Sequence, residues 1–252
     1  MLNRALLLVL GTFWVATPTA SALTFDDVKA KGAQALLEYG DKLHNGQQTQ
    51  EWLFKMTMKS ANGEPRVVKF TVQQKDRTKR LVRFIAGDAK GMSVLMRGNK
   101  MYVYSPQTDN IRRVASHARR QTLMGSNMTF SDMSTIDFSK SYNATFDQET
   151  GEHLWLSLQA KEGMELDWGR LRLRVEKKNF SFSQIEYYDG KKLKRVQYRD
   201  NYKSDGGVPT YQKVKFVDKA NGYSTTMDML SQKIGGDLPN SIFKKRNLVR
   251  GQ

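Results

Sequence analysis

From about residue 48 to residue 230 the chain alternates apolar and polar side chains with a period of two, and turn dipeptides cut the alternation into short runs. Residues 51–60, EWLFKMTMKS, put Trp52, Phe54, Met56 and Met58 on one side and Glu51, Leu53, Lys55, Thr57 and Lys59 on the other. Successive side chains of a strand point to opposite faces, so this is strand sequence with one heavy, soft, apolar face. Equivalent runs fall at 49–60, 66–74, 80–87, 92–97, 100–105, 141–148, 153–161, 165–177, 181–189, 192–200, 209–218 and 222–230. Asn62-Gly63, Gly98-Asn99, Asp189-Gly190 and Asn221-Gly222 stand between runs and have the chemistry of two-residue hairpin turns. Strands joined by tight turns are antiparallel, so the expected sheet is one long meander.

The alternation lapses once, over residues 106–140, where Ser131-Asp132 and Asp137 resemble caps of short helical pieces. An irregular segment of this length inside a compact domain is more often functional than a passive connection. Ahead of the meander, Thr24 with Asp27 three residues on has the form of a capping box, and Val28, Ala33, Ala35, Leu36 and Leu37 give a thin apolar stripe on a helix ending near Gly40. The close, SIFKKRNLVRGQ, is a basic tail expected to fray or to cover an edge.

The first 22 residues, with Arg4, an apolar run from Ala5 to Ala16, a Pro18 break and Ala20-Ser21-Ala22, have the pattern of a secretory signal peptide cleaved after Ala22. The run is shorter than the roughly 20 residues needed to span a bilayer as a helix. Residues 23–252 are then expected to form a single domain. The chain has no cysteine, so the exported protein carries no thioether-linked lipid, and its stability comes from burial instead of disulfides. Lys and Arg outnumber Asp and Glu by 41 to 25, a formal net charge of +16. For an exported protein, that charge favours anionic headgroups or wall polymers over nucleic acid; equally, it keeps an apolar-binding protein in solution.

Catalysis finds no footing. His44, His117 and His153 stand apart from one another, with no HExxH, no GxSxG elbow and no Gly-rich phosphate loop. No nucleophile can be paired with a base, so no catalytic residue, metal ligand or cofactor is expected. The sequons at Asn127, Asn143 and Asn179 matter only in a host that glycosylates. Arg112, Arg113, Arg119 and Arg120 form a dense cationic cluster with two readings, a fork for headgroups or an acidic partner, and a solvated loop.

The strongest feature is distributed over the strand faces. Beside Trp52, Phe54, Met56 and Met58 stand Phe70, Phe84, Met92, Met96, Met101, Met227 and Met229, with valines and leucines between them. On later strands the opposite face is basic, as in Arg170, Arg172 and Arg174 or Lys191, Lys192, Lys194 and Arg195. A sheet apolar on one face needs a cover, and the helical sequence is short for a sheet of ten or more strands. Either the sheet curls over itself or part of its concave face awaits a ligand. Twelve methionines favour the second reading, because Met adapts to apolar partners of variable shape.

Residues 91–133 carry a further pattern: the strand Met101-Tyr102-Val103-Tyr104 running into Pro106, then Arg112-Arg113, then Gly125-Ser126 followed by Phe130 and Asp132. This stretch resembles the signature region of the outer-membrane lipoprotein-sorting proteins, in the diverged branch of the LolA/LolB-like superfamily. The resemblance implies a mainly β (α+β) fold: a half-open antiparallel β-barrel of roughly 10–12 strands, with a few helices over its concave face. It also implies a monomeric periplasmic carrier that shields acyl chains of lipid or of lipid-anchored protein, with an inner-membrane lipid exporter and an outer-membrane acceptor as partners. The cavity is expected to be lined by the eleven aromatic and methionine residues named above, with the four arginines as a docking patch. Two other readings fit the same sequence: a periplasmic lipid-sensing regulator on the same half-barrel, and a polyanion-binding accessory protein with a packed core.

Overall fold

The structure, a computed structural model, describes residues 23–46, 49–60, 63–134, 137–164, 166–205 and 208–249. The expected signal peptide, residues 1–22, lies outside the described residues, as does Asn62 of the first hairpin dipeptide. Two helices, α1 (Phe25–Lys29) and α2 (Ala33–Asn45), precede the sheet. Six strands follow, β1 (Thr49–Lys59), β2 (Arg66–Lys75), β3 (Lys79–Ala86), β4 (Ser93–Arg97), β5 (Lys100–Ser105) and β6 (Asn110–Val114). A 3-10 turn at Ser116–Arg120 leads to the short helices α3 (Phe130–Ser134) and α4 (Phe138–Ser141). Seven more strands complete the sheet, β7 (Tyr142–Glu149), β8 (His153–Ala160), β9 (Arg170–Glu176), β10 (Phe182–Asp189), β11 (Lys192–Asp205), β12 (Val208–Asp218) and β13 (Ser224–Ile234).

All thirteen strands belong to one antiparallel sheet in the order β6-β5-β4-β3-β2-β1-β13-β12-β11-β10-β9-β8-β7. The first half of the chain meanders outward from the centre, the second meanders inward from the opposite edge, and pairing of β1 with β13 joins the halves. The end strands β6 and β7 do not pair with each other, so the sheet stays an open half-barrel. The strand count exceeds the expected ten to twelve by β6, which lies inside the stretch expected to be irregular. Its exposed Arg112 and Arg113 erase the alternation because an edge strand has little to bury. Gly98, Gly190 and Gly222 sit at φ +53°, +56° and +69° in three of the four hairpin dipeptides, as left-handed turn positions require.

Two apolar clusters occupy the concave face. One lies on β1 to β5 beneath the 116–134 segment and holds Met56, Met58, Phe70, Phe84, Met96 and Met101 together with Leu123, Met128, Phe130 and Met133. The other lies on β8 to β10 beneath α1 and α2 and holds Leu36, Leu37, Leu156, Leu173, Phe182 and Ile185. A third cluster is on the convex face, where Leu238, Phe243 and Leu248 pack on Leu81, Leu95 and Tyr104. The described part of the tail, as far as Val249, therefore packs on the convex face. Besides burying Phe243, it accepts hydrogen bonds at the Leu238 carbonyl from Lys75 (2.6 Å) and at the Leu248 carbonyl from Ser93 (2.7 Å).

The N-terminal segment also differs from its expected form. It is two helices, broken at Gly32 with φ +102°, and the second runs past Gly40 to Asn45. Thr24 caps α1 with the expected capping box. Gly40 is a close approach instead of a stop, because a Cβ there would lie 2.3 Å from Cζ of the buried Phe182 ring. Gly→Ala in a helix interior ordinarily gains about 1 kcal/mol. Gly40→Ala is expected to reverse that sign and destabilise by about 1–3 kcal/mol through overpacking, read as a lowered midpoint in denaturant unfolding.

Candidate functional site

Between the two covered regions the central strands β1, β13, β12 and β11 keep part of their concave face free of helix. Trp52 and Phe54 on β1, Met227 on β13 and Val214 on β12 are only half-buried there, although each packs against the core at its side. They form the floor of a groove with three connected lobes of about 300, 220 and 210 Å³. Met227 borders all three lobes, Val214, Tyr211, Arg199 and Phe138 are shared by the first two, and Trp52 and Phe54 by the second and third. Small-molecule sites run from roughly 300 to 1,000 Å³, a range the joined lobes reach.

The smallest lobe is the most apolar. Trp52, Phe54, Met56, Phe70, Val72 and Val82 rise from the sheet, and Leu123, Met128 and Met133 close over them from the 116–134 segment. The middle lobe is mixed, with Gln50, Arg80, Arg199, Tyr211 and Gln232 from the sheet facing Asp41, His44 and Asn45 at the end of α2. The largest lobe has Trp168, Tyr187, Gln197 and Phe216 on its walls, with Arg119 and Asp132 from the cover.

One ion pair fixes the cover to the sheet. Arg195 on β11 and Asp132 on α3 form a bidentate pair at 2.6 and 2.7 Å, both side chains more than nine-tenths buried. The guanidinium also donates to the Asn127 carbonyl at 2.8 Å and stacks 4.1 Å from the Tyr187 ring centroid. Burial alone would lower the Arg195 pKa, but the adjacent Asp132 carboxylate raises it above its usual value, so the cation persists. Asp132 is held in turn by Thr129, whose amide donates at 2.7 Å and whose hydroxyl caps α3. The helix start is thus Thr129, with Asp132 as its partner three residues on, and not Ser131-Asp132.

Arg195 corrects an expectation. The sequence pattern puts it on the basic outer face with Lys192 and Lys194, but β11 carries one extra residue between the partners of Tyr187 and Tyr188. That bulge reverses side-chain parity and turns Arg195 inward. Arg170, Arg172 and Arg174 do lie on the convex face, opposite Leu171, Leu173 and Val175, where Arg172 pairs with Asp147 at 2.6 Å and Glu186 at 3.2 Å.

Of the eleven expected lining residues, Trp52, Phe54, Met56, Phe70, Met227 and Met229 border the groove. Met58, Phe84, Met96 and Met101 are instead packed core on the same face, filled by the covering segment. Met92 borders a separate cavity of about 500 Å³ near β6, together with Arg112. The arginine cluster is dispersed. Arg113 is paired with Tyr102 on the convex side, Arg119 borders the groove and donates to the Asn99 carbonyl, and Arg120 sits 3.6 Å from Asp167. Val214, Tyr211, Arg199 and Gln197 were not singled out from the sequence, although the alternation of 209–218 would have placed Val214 beside Phe216. Among the described residues no group of three or more acidic or histidine side chains is placed to hold a metal ion, and no helix is long and apolar enough to cross a membrane.

This architecture has counterparts among solved structures. A DUF1329-family protein from Desulfovibrio piger superimposes with a TM-score of 0.79 at 19% identity, covering 88% of this chain and 98% of its own. An outer-membrane lipoprotein-sorting protein domain from Vibrio parahaemolyticus gives 0.77 at 18% identity, over 88% and 99% of the two chains. A LolA-superfamily protein from Nitrosomonas europaea gives 0.73 at 20% identity, over 85% and 98%. The chain therefore has the half-barrel fold of the LolA-superfamily lipoprotein-sorting domains. A family model described only as an "uncharacterized protein"-like family matches residues 76–250, and the chain belongs to that family. No curated protein sequence matches the chain.

Asp41, on the wall of the middle lobe, accepts a 2.7 Å hydrogen bond from the Ser139 amide of α4, yet burial pushes its pKa up to about 6. A carboxyl whose folded pKa exceeds its unfolded value near 3.8 costs stability as pH rises through that window. Asp41→Asn, which keeps an acceptor for Ser139, is expected to match the parent near pH 4 and to become more stable by on the order of 2–3 kcal/mol above pH 7. Urea unfolding at the two pH values measures this.

Proposed function

We propose that the protein is a periplasmic carrier that shields acyl chains, of lipid or of a lipid-anchored protein, in the groove between its two covers while they pass toward the outer membrane. The observation that carries this reading is the uncovered apolar floor formed by Trp52, Phe54, Val214 and Met227 between two roofed regions. A completed core would leave no such floor, and a soluble protein gains nothing from keeping one. Each methylene removed from water contributes about 0.8 kcal/mol, so a chain of about ten methylenes gains on the order of 8 kcal/mol before ordering costs. That is enough to hold a chain and small enough to release it.

No step of this activity makes or breaks a bond. Loading and release need the roof to move, and the two roofs are attached differently. The 116–134 segment is fastened by the buried Arg195–Asp132 pair, whereas α2 reaches the sheet through apolar packing and neutral hydrogen bonds, from the Ala144 amide to Gln34 at 2.9 Å, from Gln50 to the His44 carbonyl at 3.4 Å, and between His44 and Tyr211 at 3.1 Å. The α2 end is the easier one to open, since opening it breaks no buried ion pair. The basic convex face directs the loaded carrier toward anionic headgroups or an acidic docking site on an inner-membrane exporter or outer-membrane acceptor.

Val214→Trp fills the junction of two lobes from a half-buried position at the margin of the packed cluster. It is expected to reduce transfer of a fluorescent fatty acid between vesicles at least about tenfold, with a thermal midpoint close to that of the parent. Transfer at the parental rate by a folded Val214→Trp protein would place the lipid site elsewhere.

A further inference from the structure

One groove arginine, Arg199, meets the Tyr211 side chain and, among the described residues, no carboxylate. Arg80 donates to the Gln74 side chain and the Met133 carbonyl, Arg195 is paired with Asp132, and Arg119 donates to the Asn99 carbonyl. Arg199 lies half-buried on the floor where the two larger lobes meet, with its guanidinium 5.3 Å from the Tyr211 ring centroid. Among the described residues it has no carboxylate within salt-bridge distance. The acidic residue on the wall of the middle lobe, Asp41, is turned to the Ser139 amide. A half-buried cation without a counter-ion gains a charge-assisted contact when an anion arrives to meet it.

The apolar lobe opens directly from this point. Trp52, Phe54 and Met227 border both it and the lobe that holds Arg199. We propose that the groove takes a single-headed anionic amphiphile, its carboxylate or phosphate on Arg199 and its chain between Trp52, Phe54, Met56 and Phe70. Guanidinium suits this task because its planar fork matches either oxyanion in a bidentate manner and it stays charged beside apolar walls. The inference rests on the carrier reading and narrows it, since it separates anionic amphiphiles from neutral ones with the same tail.

Calorimetric titration of the folded, delipidated protein with laurate, dodecyl phosphate and dodecanol, each below its micelle concentration, and with inorganic phosphate alone, tests it. Laurate and dodecyl phosphate are expected to bind at least roughly tenfold more tightly than dodecanol, the margin of one charge-assisted contact. Inorganic phosphate alone is expected to bind far more weakly than dodecyl phosphate. Arg199→Met should bring the two anions to the affinity of dodecanol and leave dodecanol unchanged, while Arg199→Lys should retain part of the preference. Equal affinity for laurate and dodecanol in the parent, or a preference that survives in Arg199→Met, overturns the inference while leaving the carrier reading standing. Free phosphate binding as tightly as dodecyl phosphate overturns it too, by assigning Arg199 to a simple anion site. Failure of all three amphiphiles to bind removes the carrier reading and this inference together.

Discussion

A thirteen-stranded open sheet has more concave surface than this chain has helix to cover it. That imbalance governs the rest of the molecule. An apolar sheet face in water has to be covered, by closure, by helices or by something that is not part of the chain. Closure is not used, because β6 and β7 remain unpaired edges. Helical cover is spent at the two sides, α1 and α2 over β8 to β10 and the 116–134 segment over β1 to β5. The strands in the middle keep a floor of half-buried tryptophan, phenylalanine and methionine, and that floor is the groove.

Polar chemistry on the concave side is arranged around this apolar strip. The Arg195–Asp132 pair contributes little net stability against an apolar substitute, as buried pairs generally do, but it specifies where the cover sits. A purely apolar contact between α3 and the sheet would tolerate sliding; a bidentate pair with Thr129 behind Asp132 does not. The same register leaves Arg199 four residues along the strand, facing the groove beside Tyr211 with no carboxylate within salt-bridge distance among the described residues. Parity on β11 therefore shapes the groove: the bulge after Leu193 decides that both arginines point inward.

Much of this was legible in the sequence, for a physical reason. Period-two alternation and hairpin dipeptides are local properties, and an antiparallel meander is assembled from local neighbours, so the sheet could be read strand by strand. What failed depended on contacts distant in sequence. Gly40 reads as a helix stop until Phe182, from β10, is seen against it. β6 reads as loop because an edge strand bearing Arg112 and Arg113 has no buried face to announce it. Arg195 reads as surface charge because a one-residue bulge leaves no mark in composition. For the groove itself, alternation identified the concave face but could not divide it. Met58, Phe84 and Met101 lie on that face with Trp52 and Phe54, and only the position of the cover separates packed core from open floor. That position depends on α3 and the loop before it, where the sequence carries no periodicity.

The central claim is that the concave floor exists to be covered by a lipid chain. Native mass spectrometry of the protein released gently from the cell envelope, with extraction and identification of whatever it carries, tests that claim most directly. The expected result is a folded species heavier than its polypeptide by the mass of one or more acyl-chain lipids, with the excess lost on denaturation. A folded protein at the bare polypeptide mass, yielding no extractable lipid and acquiring none from vesicles, would contradict it.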